Sequence, residues 1–338
     1  MKPLRHLSRA EVAAAMPPLE ERLALADRTM RALGAGAELP PKIGVHPRQT
    51  GSLAQAMPAL LRGEAEDGSA DLIGAKWITG FPDNPAHGLP AYQALVLIND
   101  PLTGEPLAVL DAATITAQRT AAISGVAIRH FGPAGAERSS VSTAPRVALL
   151  GAGAQARSHV PVIGHLLRGA LVRITDTDGA RAEALAREAC GEDGIGSAEA
   201  VATVRDAVTG ADVVISVVSF GAARQALDPA WLGPDTLFVA VDYDMQAPAA
   251  LAREALFVVD DRGQFLATRT GPVFAGYPDP DATLGELLRG ERPGERPGER
   301  PGGRILVSHL GVGLADVVFG AAVLARAEEL GLGRLLPV

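Results

Sequence analysis

Apolar and polar positions follow two different rhythms along the chain, and the change falls near residue 146. Residues 10–34 predict a helix with Ser8 as its N-cap, Glu11 three residues on and Gly34 as its stop. A capping hydroxyl and a reciprocating carboxylate satisfy the free N–H groups of a first turn. Short apolar runs at 42–45, 74–78 and 94–98 read as strands. The turn formers Asn99-Asp100-Pro101-Leu102-Thr103-Gly104 follow, and residues 107–110 form the returning strand. The first region is therefore mostly antiparallel β. Residues 114–131 read as a helix rich in small side chains, and 132–145 as a loop.

From Arg146 the pattern becomes strand, helix, strand. An apolar run at 147–150 leads into Gly151-Ala152-Gly153-Ala154-Gln155-Ala156. A helix is expected over 154–169, a second strand over 171–175 and a second helix over 179–190. Runs at 213–218, 237–241 and 255–259 read as further buried strands. Such alternation implies a parallel sheet covered by helices on both faces. The expected fold is thus α/β, a Rossmann-type doubly wound parallel sheet (131–311) with a β-rich N-terminal domain (1–130). Residues 312–330 read as a helix, and 312–338 are expected to return to the first domain. Residues 290–303, GERPGERPGERPGG, read as a solvated insert, since repeated Pro-Gly continues neither helix nor strand.

The glycine turn carries the cofactor signal. Gly151 permits the tight turn, and Gly153 lets backbone approach a pyrophosphate. Ala154 and Gln155 open a helix whose N-terminus favours an anion, and Ala156 keeps that helix close to the strand. Asp176 closes the second strand, where a carboxylate accepts hydrogen bonds from ribose hydroxyls. With Asp178 behind it, it would repel a 2′-phosphate, so NAD is expected rather than NADP. The bland alternative is a glycine turn used only for packing.

Composition narrows the field. With 338 residues, 47% apolar and 21% charged, the chain can bury two cores and is not a disordered protein. A net charge of −8 makes nucleic acid and anionic membrane poor partners, although a local cation cluster could still bind a small anion. The single cysteine, Cys190, excludes an intramolecular disulfide, and no Cys/His spacing suggests a metal site. The N-terminus is too interrupted by charge and proline for a signal peptide. No uninterrupted run of about 18 apolar residues suggests a membrane span, so the cytoplasm is the expected compartment. None of Tyr92, Tyr243 and Tyr277 has lysine four residues on, which argues against a short-chain dehydrogenase.

Further blocks carry a resemblance. They are Met57-Pro58, Ala75-Lys76-Trp77 with Pro82-Asp83-Asn84-Pro85, and Thr116-Ala117-Gln118-Arg119-Thr120-Ala121-Ala122. The glycine turn, Ala240-Val241-Asp242-Tyr243-Asp244 and residues 308–316 complete the set. On these the chain resembles the ornithine cyclodeaminase/mu-crystallin family over nearly its whole length. The resemblance implies NAD-dependent hydride movement at the Cα–N bond of a small amino or imino acid, and a homodimer. It gives substrate handling and dimerisation to the N-terminal domain. Activities in the family include cyclodeaminases, alanine dehydrogenase-like enzymes and ketimine reductases. The alternative is a non-catalytic, mu-crystallin-like binding protein.

The resemblance also assigns roles. Lys76 matches a substrate-binding lysine, Arg119 an arginine that grips the substrate carboxylate beside the nicotinamide, and Asp244 the catalytic acid/base. A guanidinium fork suits a carboxylate, and a carboxyl group can manage the proton on nitrogen. Asp244 is expected at the C-terminal end of its strand, projecting into the ligand crevice. Asp242, where the family usually has glycine, remains an alternative acid. Bland readings are a snorkelling Lys76 and a surface Arg119. Lys42 stands where many members have a second carboxylate-binding arginine and lacks the fork. The segment between Met57 and Lys76 is longer than in the cyclodeaminases. His46 and His87 read as structural or surface residues.

Overall fold

Ser8 caps the first helix as its spacing predicts: its hydroxyl accepts from the Glu11 N–H, and Glu11 Oε2 accepts from the Ser8 N–H at 2.8 Å. The computed structural model describes residues 3–63, 65–133, 144–221, 223–291 and 302–337. The elements run β1 (Leu4–Leu7), α1 (Arg9–Ala14), α2 (Leu19–Ala32), β2 (Ala37–Glu38), β3 (Ile43–Val45), β4 (Leu53–Leu61), β5 (Leu72–Gly80), β6 (Tyr92–Asn99), β7 (Pro106–Asp111) and α3 (Ala113–Phe131). There follow β8 (Arg146–Leu150), α4 (Ala154–Leu166), β9 (Ala170–Thr175), α5 (Gly179–Ala189), β10 (Ile195–Ala200), α6 (Val204–Val208), β11 (Val213–Ser216) and β12 (Leu237–Ala240). The chain ends with α7 (Ala249–Glu254), β13 (Leu256–Val259), α8 (Arg262–Arg269), β14 (Ala282–Thr283), α9 (Leu284–Arg289), β15 (Ile305–Ser308), α10 (Gly313–Glu329) and β16 (Arg334–Leu336).

Two units emerge, residues 1–119 with 312–338, and residues 120–311. The first holds a mixed sheet in the order β16-β1-β7-β6-β5-β4-β2, with β3 also on β4. Only β1 and β7 run parallel; the other pairs are antiparallel. Helix α10 packs on β4, β5 and β6. A Cβ at Gly313 would fall 2.6 Å from the Met57 carbonyl oxygen, so only glycine allows that approach.

Two expectations need correction. The single helix over 10–34 is two, α1 and α2, because Pro17 and Pro18 stand between them and proline lacks the N–H that an uninterrupted helix needs. Strand β4 was hidden by Pro58. That residue lies between the stretches paired with β3 (54–56) and β2 (60–61), where a missing N–H interrupts neither ladder.

The second unit is an all-parallel sheet in the order β10-β9-β8-β11-β12-β15-β13-β14, and the Rossmann expectation is borne out. The chain steps outward from β8 to β9 and β10, then returns to β11 on the other side of β8. That reversal makes the C-terminal ends of β8 and β11 the crevice where open α/β sheets take ligands. Strands β11, β12 and β15 are buried along their whole length, which explains their unbroken apolar runs. Phe238, Phe257, Phe265 and Phe274 are fully enclosed around them, each stabilising by about 1.5–3 kcal/mol. The Pro-Gly insert at 292–301 lies outside the described residues, as does most of the 132–145 loop. No helix among the described residues is long and apolar enough to cross a membrane.

Candidate active site

Strand β8 delivers the chain into the glycine turn. Gly151 has φ 102°, and a Cβ there would lie 2.9 Å from the Val217 carbonyl oxygen at the end of β11. Conformation and crowding both demand glycine. Gly153 is the N-cap of α4 and provides no side-chain cap, so first-turn N–H groups await an acceptor. A Cβ on Gly153 would meet only the Arg181 Nη2, at 3.8 Å, leaving room for another molecule. Ala156 is fully buried, as close helix–strand packing requires. Asp176 reaches back to the turn: Oδ2 accepts from the Ala152 N–H at 2.7 Å, and Oδ1 from the Asp178 N–H at 2.9 Å. The Gln155 side-chain oxygen is buried without a hydrogen-bond partner among the described residues. These features fit a dinucleotide, with its pyrophosphate at the helix N-terminus and its ribose at Asp176.

The first unit gathers a second set of residues. Lys76 on β5, Arg119 on α3 and Asp316 on α10 meet away from solvent. Lys76 Nζ lies 2.6 Å from Asp316 Oδ2, and Arg119 Nε 3.2 Å from Oδ1, with exposures of 1%, 5% and 0%. Burial pushes the Lys76 ammonium down to about 8; Asp316 opposes that shift, while Arg119 and Lys42 add to it. Burial alone would raise the Asp316 carboxyl, but Arg119 and Lys76 outweigh it and hold it below the usual carboxylate range. Two cations thus share one anion, and the group keeps a net positive charge at neutral pH. Half-buried Lys42 is close enough to be felt by Lys76. His46 and His87 are exposed. Asp316 was not singled out from sequence; an acid inside the apolar run of α10 was the available signal.

At the end of β12 the two aspartates differ sharply. Asp244 is wholly buried. Its Oδ1 pairs with Arg224 Nη1 at 2.5 Å, and its Oδ2 accepts from the Phe274 N–H at 2.9 Å. It does not project openly into a crevice, as the strand-end position suggested, because the Arg224 and Phe274 loops close over it. Three non-glycine residues with left-handed backbone surround it: Gln225 (φ 55°), Tyr243 (φ 63°) and Phe274 (φ 61°). The Gln225 N–H donates to the Asp244 carbonyl at 2.8 Å. Each such conformation costs on the order of 1–3 kcal/mol and persists only where its surroundings enforce it. Asp242, 3% exposed, accepts at Oδ2 from the Ser216 hydroxyl and the Val218 N–H, while its buried Oδ1 has no partner among the described residues. Burial pushes its carboxyl up to about 7 against those two hydrogen bonds, and Asp244 adds to the rise.

Sequence reading also missed a buried chain of polar groups in the second unit. Ser124 Oγ lies 2.9 Å from Nε2 of both His159 and His309. His159 Nδ1 stands 2.6 Å from the Gln155 carbonyl, so Nδ1 must carry the proton. Burial pushes His159 down to about 4, so it is neutral at pH 7 and its Nε2 accepts from Ser124. His309 Nε2 must then donate to Ser124, which has a single proton to give. Residues 124, 159 and 309 are too far apart in sequence for pattern to link them.

A sequence profile of the ornithine cyclodeaminase/mu-crystallin family matches residues 7–330. The nodulation efficiency protein NfeD of Rhizobium meliloti is 32% identical over 338 residues, covering 99% of this chain and 98% of that protein. The ketimine reductase mu-crystallin of Rattus norvegicus is 31% identical over 233 residues, 68% of this chain and 69% of its own. Among solved structures, Thermococcus litoralis Delta(1)-pyrroline-2-carboxylate reductase, in complex with NADH and L-proline, superposes with a TM-score of 0.81. It shares 23% identity, covers 98% of this chain and 100% of its own, and has the same fold.

Proposed function

The chain belongs to the ornithine cyclodeaminase/mu-crystallin family, and from that premise we propose that it is an NAD-dependent enzyme moving hydride at the Cα–N bond of a small amino or imino acid. The observation that carries this assignment is the buried group Lys76–Asp316–Arg119. A net positive charge held out of water is costly until an anion completes it. A substrate carboxylate supplies that anion, and Arg119 offers a planar fork for it. Lys42 adds a further cation without a fork.

In the second unit, Gly151, Gly153 and the first turn of α4 would hold the pyrophosphate, and Asp176 the adenosine ribose. NAD bound there supplies the hydride chemistry. The chain's own task is then to fix the carboxylate, exclude water and move one proton on or off nitrogen. Cyclodeamination and reduction share these steps and differ in what attacks the carbon.

A screen of amino acids, imino acids and cyclic imines, read by NADH absorbance and ammonia release, tests the proposal. Turnover of a carboxylate-bearing imine or amine is expected. Failure of NAD to bind would overturn it. As an assembly we propose a homodimer: Ile43, Trp77 and Leu95, aligned through Ala56 across β3, β4, β5 and β6, form an exposed apolar row that suits a second copy of the same face.

A further inference from the structure

Two arginines of the second unit reach the glycine turn, and only one of them has a structural reason to be there. Arg157 on α4 is committed: its Nε donates to Glu188 Oε2 at 2.9 Å and its Nη1 to the Ala152 carbonyl at 3.3 Å. The exposed Arg181 on α5 makes no side-chain hydrogen bond or ion pair among the described residues. The acids beside it are engaged with backbone. Asp178 accepts from the Ala180 and Arg181 N–H groups, and Asp176 from those of Ala152 and Asp178. Gly179, Ala180 and Arg181 form the first turn of α5, which carries no acid. A cation at this end of a helix opposes the backbone dipole, so Arg181 does not serve the helix. Nor does it simply extend into water. A Cβ built on Gly153 would lie 3.8 Å from Arg181 Nη2, the one atom from beyond the turn's own neighbours within 4 Å among the described residues.

Resting on the dinucleotide assignment above, we propose that Arg181 is a phosphate-binding residue of the cofactor site, its guanidinium pairing with the adenosine-side phosphate of the pyrophosphate held at Gly153.

Gly153 caps α4 without a side-chain acceptor, so the first N–H groups of that helix and the Arg181 guanidinium converge on one point from two elements. The phosphate is the adenosine-side one because α5 follows directly on β9 and Asp176, the ribose end of the turn. The residue types divide the work. Backbone N–H groups donate along fixed directions, whereas Arg181 adds a full charge on a side chain exposed enough to swing aside as the cofactor enters or leaves. Asp176 and Asp178 bring negative charge to the same rim, and a cation at Gly153 offsets it where an anion must approach. A planar fork also meets two oxygens of one phosphate, which the point charge of lysine does not.

Binding to the full chain, read by NADH fluorescence and its displacement, tests this without a substrate. The competing ligands are NAD+, AMP, adenosine and NADP+, against the wild type, Arg181→Met and Arg181→Lys. Arg181→Met should weaken NAD+ and AMP about 5- to 10-fold, between the worth of a solvent-screened pair and that of a buried charged hydrogen bond. Adenosine, which lacks the phosphate, should bind the wild type and Arg181→Met equally. Arg181→Lys should recover part of the loss, since charge returns without the fork. Added salt should weaken NAD+ binding to the wild type more steeply than to Arg181→Met. Without cofactor, the melting temperature of Arg181→Met should stay level or rise, because a cation has left the first turn of α5. Unchanged NAD+ affinity in Arg181→Met, or an equal loss for adenosine, overturns the proposal. So does a loss confined to NADP+, which would put the guanidinium at the ribose 2′ position. A wild type that binds neither NAD+ nor NADH would overturn the function proposed above. A wild type that binds both, with Arg181→Met indifferent, would overturn this inference alone.

Discussion

Lys76 Nζ stands 2.6 Å from Asp316 Oδ2, and neither side chain has more than 1% exposure. The pair closes a β-strand from the middle of the first unit onto the helix that returns to it from the end of the chain. Arg119 joins the same carboxylate at 3.2 Å, so among the described residues Asp316 is the one acid paired with both buried cations.

That relationship sets the first prediction. Asp316→Asn leaves Lys76 and Arg119 facing each other without an anion. Breaking a buried pair from one side costs about 3–5 kcal/mol. Denaturant unfolding should show a loss of that order, whereas breaking an exposed pair such as Arg168–Asp193, which solvent screens, should leave the unfolding midpoint almost unmoved. A loss for Asp316→Asn no larger than for the exposed pair would mean that the buried charges are compensated elsewhere.

Lys76 also gives a pH signature. Its folded value, about 8, lies below the ordinary 10.5, so between these limits the unfolded chain binds more protons and stability from this group rises with pH. Substrate affinity should run the opposite way, falling above pH 8 as Lys76 loses its charge. Lys76→Met should flatten the 8 to 10.5 segment of the stability curve. Parallel rather than opposed trends in the wild type would remove Lys76 from the binding site.

The cofactor turn separates folding from binding at neighbouring positions. Gly151→Ala forces an L-residue to φ 102° with its Cβ 2.9 Å from a backbone oxygen, and should lower the melting temperature. Gly153→Ala meets no protein atom in that way. It should leave melting unchanged yet weaken NAD, because the methyl group enters the space where the pyrophosphate approaches. Asp176→Ala should cost NAD about 1.5–3 kcal/mol, roughly 10- to 100-fold in affinity, while NADP binding stays level or improves. Calorimetric titration beside thermal melting checks all three.

The legibility of these sites from sequence follows the range of the interactions that make them. The glycine turn, the Ser8 cap and the parallel strands β8, β11 and β12 are local patterns, and each could be read in a window of a few residues. Strand β4 could not, because Pro58 is tolerated only through the placement of β2 and β3. The buried strand β15 follows a charged repeat and offers only four apolar-to-small residues. Asp316 and the Ser124–His159–His309 chain owe their roles to tertiary neighbours, which no periodicity encodes. The aspartates at 242 and 244 were visible together. What separates them is the Arg224 and Phe274 contacts and the left-handed backbone at Gln225, Tyr243 and Phe274.

The exposed row on the first unit's sheet makes a prediction about assembly. Trp77 is 47% exposed and sits directly across from Leu95, itself 46% exposed. Trp77→Glu places a charge at the centre of that row and should convert a dimer to monomer in sedimentation, with the monomer still folded by circular dichroism. A wild type that sediments as a monomer, or a dimer indifferent to Trp77→Glu, would exclude this face as the interface.

Asp242 yields the last prediction, one that depends on neither substrate nor cofactor. Its folded carboxyl is pushed up to about 7 from the ordinary 3.8, mainly by burial. Between those values the folded chain binds more protons than the unfolded one, so stability from this group falls as pH rises through the window. It is fully present near pH 4 and is lost above pH 7. The shift corresponds to roughly 4 kcal/mol as a ceiling, since each pKa unit is worth about 1.36 kcal/mol. Asp242→Asn keeps the shape and can still accept from Ser216, but carries no charge to bury. The variant should therefore match the wild type near pH 4 and exceed its stability at pH 8, with a flatter curve between. Asp244→Asn should do the reverse, losing stability at every pH where Arg224 is left facing an amide. Unfolding curves at several pH values for the three proteins decide the matter. A wild-type curve that rises from pH 5 to 7, with Asp242→Asn no more stable at pH 8, would show that Asp242 is buried as a carboxylate and carries no proton at neutral pH.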